Sequence, residues 1–338
     1  MAAIADTWRA LVDWYFALPP VVLVPLAGLL KVLAIFGWIV VNVLILIWLE
    51  RKFSGRMQSR LGPMRVGRPH GWAQTIADTI KLLVKEDVIP RGVDRWLYVI
   101  APAVVFTPAL LVWAVVPFAK TWIVSDLNVA LIYIAAAGSL AILGIFMSGW
   151  GSNNKWSLLG AMRAAAQVIS YEVPAVLSLV GVAMIAGSLS LQGIVNAQHR
   201  VWFIVLQPLG FIIYLIATMA ELNRTPFDLT EAESELVAGF NTEYSGLRWA
   251  FFFLGEYANL LAASAIAATV FLGGWSGPFL PGIVWFVIKT YFFVFLIMWI
   301  KWTMPRIRID QMMDVGWKIL IPAALINIAV TGLVLLIV

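Results

Sequence analysis

Long apolar runs, broken by short charged or Gly/Pro-rich stretches, dominate the chain. A helical membrane span needs roughly 20 mainly apolar residues. The runs near residues 27–49, 98–118, 127–149, 160–187, 201–221, 249–272, 282–302 and 319–337 therefore predict eight crossing helices in a single membrane domain, residues 1–338. Helices are expected because lipid cannot satisfy open backbone groups. The alternation of a lipid-facing barrel strand is absent. Between residues 72 and 87 the pattern changes. Trp72, Ile76, Ile80, Leu83 and Val84 fall on one helical face, and Gln74, Asp78, Lys81 and Lys85 on another. This segment is too short and polar to cross, and predicts an amphipathic helix lying in the membrane plane. Asp78 and Lys81, three residues apart, can pair on it. Residues 1–26 carry Trp8, Trp14, Tyr15, Pro19 and Pro20 without the pattern of a cleaved signal, and read as a retained interfacial foot.

Composition confirms the class. With 62% hydrophobic and 12% charged residues and a mean hydropathy of +0.93, the chain reads as an all-α polytopic membrane protein. The absence of cysteine excludes disulfides, cysteine-ligated iron–sulfur clusters and thiolate zinc sites within it. His70 and His199 are too few for a bis-histidine haem at one depth, and no internal repeat suggests a transporter built from inverted halves. The pI near 9.5 does not require nucleic acid, because the basic residues sort by topology. Eighteen of 23 fall in loops on one side: ten from Arg51 to Arg95, then Lys155 and Arg163, Arg224 and Arg248, and four from Lys301 to Lys318. Only Arg9, Lys31, Lys120, Arg200 and Lys289 remain. This asymmetry predicts charged loops in the cytoplasm and both termini outside.

Candidate chemistry concentrates in Glu221–Gly246, ELNRTPFDLTEAESELVAGFNTEYSG, which overlaps the acidic cytoplasmic loop 222–247. The stretch holds Glu221, Asp228, Glu231, Glu233, Glu235 and Glu243, six of the chain's 18 acids. Pro226 biases Thr225 away from helix. Thr230 and Glu233 fit a capping box, so a short helix is expected there, with Glu231 and Glu235 one turn apart. In the fourth span Glu172 lies about 18 Å from the inner end at 1.5 Å per residue. Pro174 follows and should kink the helix beside the carboxyl. An acid at that depth faces the bundle interior or a wet cavity by default and is a candidate proton site. Glu256 lies about 10 Å inside the sixth span by the same rise. Lys289, in the seventh, is expected to snorkel to the outer interface. The third span, without ionisable residues, reads as a wall, and the eighth as an apolar anchor. Arg56–His70, RMQSRLGPMRVGRPH, clusters four arginines among Gly/Pro breaks that prohibit a long regular element.

Two long motifs carry a resemblance: ERKFSGRMQSRLGPMRVGRPHGWAQTIADTIKLLVKED and AELNRTPFDLTEAESELVAGFNTEYSG, supported by GWGSNNKWSLLGAMRAAAQVISYE and RIRIDQMMDVGWK. Over essentially its whole length the chain resembles the H-type membrane subunits of proton-pumping NADH–quinone oxidoreductase, respiratory complex I. The resemblance implies that Glu50, Arg51, Arg60, Asp78, Lys81 and Phe240 border a quinone tunnel or its headgroup end. It implies an acidic path from Asp228, Glu231, Glu233 and Glu235 through Glu221 and Glu172 toward antiporter-like subunits, with Glu256 and Arg308 nearby. Quinone is then the substrate. No cofactor is expected on this chain, and FMN and iron–sulfur clusters are expected in partner subunits. The other partners implied are the peripheral-arm subunits of the quinone site and membrane lipids. Some members place a glutamate in the third span where this chain has Ser139. The membrane subunit of an energy-converting hydrogenase or related ferredoxin-driven complex shares the fold and path. The long basic segment favours complex I over it. A stand-alone transporter and a purely structural anchor are the remaining alternatives.

Overall fold

A computed structural model of the protein describes residues 19–230 and 236–337. It is 73% helical, without β-strands among the described residues. Seven helices there are long and apolar enough to cross a membrane, which makes this an all-α polytopic membrane protein. Trp8, Trp14 and Tyr15 of the expected foot lie outside the described residues, as do Glu231, Glu233, Glu235 and the body of the expected capping-box helix.

Helix α1 runs Pro20–Met57. It starts earlier than the expected span because proline suits a first helical turn, where its missing N–H has no partner to lose. It also continues past Leu49 through the charged Glu50-Arg51-Lys52 cluster. Residues up to Asn42 form one compact unit, and Val43–Val338 a second. In the first, Asn42 Nδ2 donates to its own helix at Trp38 O (2.7 Å).

In the second unit, the amphipathic segment forms α2, Gln74–Val84. Its apolar residues Ile76, Ile80, Leu83 and Val84 are exposed, while Thr75 on the other side is buried. Helix α3 spans Arg95–Leu111 and ends in a 3₁₀ turn, Val112–Ala114. Helices α4, Ala130–Gly151, and α5, Lys155–Ala186, follow. Asn154 caps α5 by accepting from Trp156 N (2.9 Å), and α5 passes unbroken through Pro174. A short α6 covers Leu191–Ala197.

The fifth expected span, 201–221, is not one helix. It divides into α7, Phe203–Leu206, and α8, Pro208–Glu221, with Gln207 between them in non-helical conformation. Pro208 is the cause: it disfavours helical geometry at the residue before it and starts a new helix well. Helices α9, Gly246–Phe271, and α10, Gly282–Thr303, match apolar runs. The last crossing is composite. It joins α11, Ile309–Asp314, a π-helical turn, Val315–Leu320, and α12, Ile321–Ile337.

That last helix is more than an apolar anchor. Asn327 and Thr331 are buried, where Asn327 Nδ2 donates to Gln207 Oε1 (2.7 Å) and Gln207 Nε2 donates to Thr331 Oγ1 (2.6 Å). The break at Gln207 thus turns a polar side chain inward, and the last helix satisfies it. Buried amides without partners would be costly, so the three groups lock α7, α8 and α12 together. Lys289 is also not a snorkelling residue. It is buried, and its Nζ donates to Leu272 O (2.6 Å) and Ser276 O (2.5 Å) between the rings of Trp202 and Trp285. The C-terminal end of α9 offers unpaired carbonyls and the negative pole of its dipole, which hold an ammonium better than a reach to water.

Candidate functional site: an acid-lined cavity beside a buried arginine

Helices α3, α4, α5, α8 and α9 surround a cavity of about 280 Å³. Along α9 its lining runs from Trp249 to Ile266, roughly 25 Å at 1.5 Å per residue. Its walls are mainly apolar and include Val112, Ile134, Leu179 and Ile266. Among the described residues three carboxyls enter it, Glu172 from α5, Glu221 from the end of α8 and Glu256 from α9, joined by Tyr214, Asn223 and Asn259. Phe240 lines the same cavity. The third expected span, α4, contributes Ile134, Ala135, Gly138, Ala141 and Ile145, and is literally a wall. Gly138 rather than Ser139 faces inward: a β-carbon at Gly138 would lie 4.0 Å from Glu172 Oε1. Ser139 is exposed and donates to its own helix at Ala136 O (2.9 Å).

The loop that brings Glu221 and Phe240 here is pinned at both ends. Gln167, fully buried on α5, donates to Ala220 O (2.8 Å), Phe227 O (2.8 Å) and Asn223 Oδ1 (3.1 Å). One amide thus holds the end of α8 and the following turn. At the other end Gly239–Asn241 makes a 3₁₀ turn. Gly160 lets that turn touch α5, since a β-carbon there would lie 2.6 Å from Gly239 Cα. Ser157 Oγ donates to Phe240 O (3.2 Å). Beyond it Tyr244 stacks on Tyr98, ring centroids 4.2 Å apart, and burial pushes its phenol above the ordinary range, so it remains a donor. Asn154 Nδ2 donates to Glu243 Oε1 (2.6 Å), tying the last acid of the loop to the start of α5.

Beside the cavity lies a charge cluster that sequence reasoning missed. Arg224 is fully buried. Its Nη1 donates to Glu50 Oε2 (2.8 Å), and its Nη2 lies 2.9 Å from Glu256 Oε1. Lys301 Nζ donates to the other oxygen of Glu50 (2.5 Å). The ring of Tyr257 covers the guanidinium at 4.6 Å. Burial opposes the charge on Arg224, but the Glu256 and Glu50 carboxylates outweigh it and hold Arg224 above the usual guanidinium value. Glu50 is reached across 174 residues of sequence from Arg224 and 251 from Lys301. The available signal was indirect: an acid at the end of an apolar run must find a cation if it is buried, and Arg224 and Lys301 both sit at such ends.

The remaining expected residues are dispersed. Asp78 pairs with Arg51 (2.5 Å) and accepts from Gln74 (3.1 Å), one turn back on α2; its salt bridge is to Arg51 rather than Lys81. Asp228 pairs with Arg306 (2.8 Å). Arg60 is exposed, with its Nε donating to Gln58 (2.7 Å), and Lys81 is exposed on α2. Arg308 is exposed and engages Asp310 beside it, at the start of α11. Arg60, Lys81 and Arg308 do not line the cavity. The acids Glu231, Glu233 and Glu235 lie outside the described residues.

Chemically, the cavity offers apolar walls with carboxyls set among them. Among the described residues Glu256 has a guanidinium at salt-bridge distance, while Glu172 and Glu221 have no cation there. A proton gained or lost at either of these two changes the local charge by one without breaking an ion pair.

Comparison with known proteins gives a consistent family. The model of the NADH dehydrogenase family matches residues 30–332. The H-type subunit of NADH-quinone oxidoreductase from Dehalococcoides mccartyi (strain CBDB1) is 54% identical over 309 residues, covering 91% of this chain and 87% of its own. Proteins of the same name match from Anoxybacillus flavithermus, 52% identical over 311 residues with 91% and 92% covered, and from Carboxydothermus hydrogenoformans, 50% over 308 residues with 90% and 88% covered.

Proposed function

The chain belongs to the NADH dehydrogenase family, as an H-type membrane subunit of NADH–quinone oxidoreductase, and from that premise we propose how it contributes to the complex. It forms part of the chamber in which quinone is reduced, and it passes the resulting charge change to protons through the acids of its cavity. Reduction of quinone to quinol takes up two electrons and two protons. The electrons arrive from clusters held by partner subunits, together with FMN, since this chain has no cysteine to ligate a cluster.

What supports the reading is the cavity itself, an apolar passage lined by Glu172, Glu221 and Phe240. A quinone's greasy tail needs such walls, and its head needs donors and titratable groups. The headgroup end is assigned to Phe240, Glu50 and the Arg51–Asp78 pair, with Arg60 and Lys81 on the approach. Protons enter by Asp228, Glu231, Glu233 and Glu235 and pass Glu221 and Glu172 toward antiporter-like subunits. Arg308, turned to Asp310 at the surface, stands outside this path. The complex sits in the bacterial cytoplasmic membrane with the charged loops inside, where the exposed apolar face of α2 lies at the lipid surface.

Two measurements test this. In complexes that assemble normally, Glu172→Gln and Glu221→Gln should lower the number of protons pumped per NADH; unchanged stoichiometry in both would refute the path. A photoreactive quinone analogue in native membranes should label residues 50–87 or 221–246, competed by excess quinone. Label confined to a partner protein of the complex, with full peptide coverage here, would remove this chain from the chamber.

A further inference from the structure

The three acids of the cavity are not equivalent, and the difference lies in the charge count around Arg224. Among the described residues two carboxylates, Glu50 and Glu256, meet two cations, Arg224 and Lys301. The cluster is neutral only when both acids are ionised. Arg224 is 1% exposed and its face is closed by Tyr257, so its charge cannot be handed to water. Protonating Glu256 would leave Arg224 and Lys301 sharing one carboxylate, with an uncompensated charge at a buried site. Protonating Glu172 or Glu221 leaves no such orphan.

We propose that Glu256 is a fixed carboxylate, positioned by Arg224, and that proton exchange in the cavity is confined to Glu172 and Glu221. The proposal rests on the proton-path reading above and narrows it. Glu256 supplies a standing negative charge beside the two titrating acids. The groups facing it are Arg224 on one side, Tyr257 next to it on α9, and Glu172 and Glu221 across the cavity. Because Glu50 and Lys301 pair directly, Arg224 and Glu256 form the second half of the cluster. They can be removed together without changing the net charge of the first, although Glu50 Oε2 then loses its Arg224 donor.

The test is a set of variants in the whole complex in native membranes. Glu256→Gln and Arg224→Met should each reduce the amount of assembled complex several-fold. The double variant Arg224→Met/Glu256→Gln should recover most of it, because it leaves the Glu50–Lys301 pair neutral. Infrared difference spectra between the resting and quinone-reduced states should show protonated-carboxyl bands that disappear in Glu172→Gln or Glu221→Gln and persist in the double variant. Normal assembly of Glu256→Gln, or a carboxyl band lost only when Glu256 is replaced, would overturn the division of roles. Absence of any band from all three acids would instead sink the proton-path reading, and the division with it.

Discussion

Gly160 is where a single methyl group should reach the proposed quinone site. A β-carbon at this position would stand 2.6 Å from Gly239 Cα and 2.9 Å from both Gly239 C and Phe240 N. Ordinary carbon contacts are about 3.5–4.0 Å. The turn must therefore retreat by about 1 Å, and since backbone meets backbone no rotamer change relieves it. Overpacking of this kind costs about 1–3 kcal/mol. The displaced atoms belong to the turn carrying Phe240, which lines the cavity, so the strain appears at the site as well as in stability. In Gly160→Ala we expect earlier thermal loss of quinone reductase activity and a several-fold higher KM for a short-chain quinone. NADH oxidation by an artificial acceptor acting upstream should be unchanged. Gly187→Ala is the control. Its φ of +64° penalises alanine, but nothing lies within 4 Å of the added carbon, so stability falls by about 1–2 kcal/mol with KM intact. Gly160→Ala with wild-type KM and heat resistance would refute the claim that this close approach positions Phe240.

Other expectations follow from the same contacts. Lys289→Met removes a charged donor from two carbonyls, at about 1.5–3 kcal/mol for each bond. It should lower the melting temperature of the complex and leave the KM for quinone alone. Asn327→Leu takes away the donor held by Gln207 Oε1 and should cost about 1–3 kcal/mol as a buried unpaired acceptor. Replacing both Asn327 and Gln207 by leucine should destabilise less than the sum of the single changes, read in a double-mutant cycle of thermal inactivation. Gln167→Leu frees the start of the acidic loop from α5, so hydrogen exchange at residues 222–230 should accelerate in the assembled complex while exchange in the α9 core stays slow. Equal exchange in wild type and variant would mean that the loop is held elsewhere.

How much of this was legible in the chain depends on the range of the interaction. The apolar runs announce their helices because a lipid-facing backbone has no other way to satisfy its hydrogen bonds. Periodicity of 3.6 residues is local and marks out α2 with both of its faces. Glu172 and Glu256 could be singled out because a carboxyl within an apolar run has few uses besides function. Pro208, by contrast, lies in a run apolar enough to read as one span, and its break exposes Gln207 to a partner 120 residues away. Lys289 looked like a residue at an interface, but α9 ends beside it and its free carbonyls decide otherwise.

Charge pairing needed the tertiary structure most. Asp78 has Lys81 three residues away and still pairs with Arg51, because α1 supplies a guanidinium where their helices meet. Glu50 lies next to Arg51 in sequence and is neutralised instead by Arg224 and Lys301. The chain by itself determined that it is a bundle of apolar helices and which acids lie within the apolar runs, since burial of apolar surface and of backbone polar groups is read residue by residue. Only the packed bundle decided which of those acids meet a cation and which face the cavity without one, since a Coulomb interaction depends on distance in space, and sequence separation leaves that distance open.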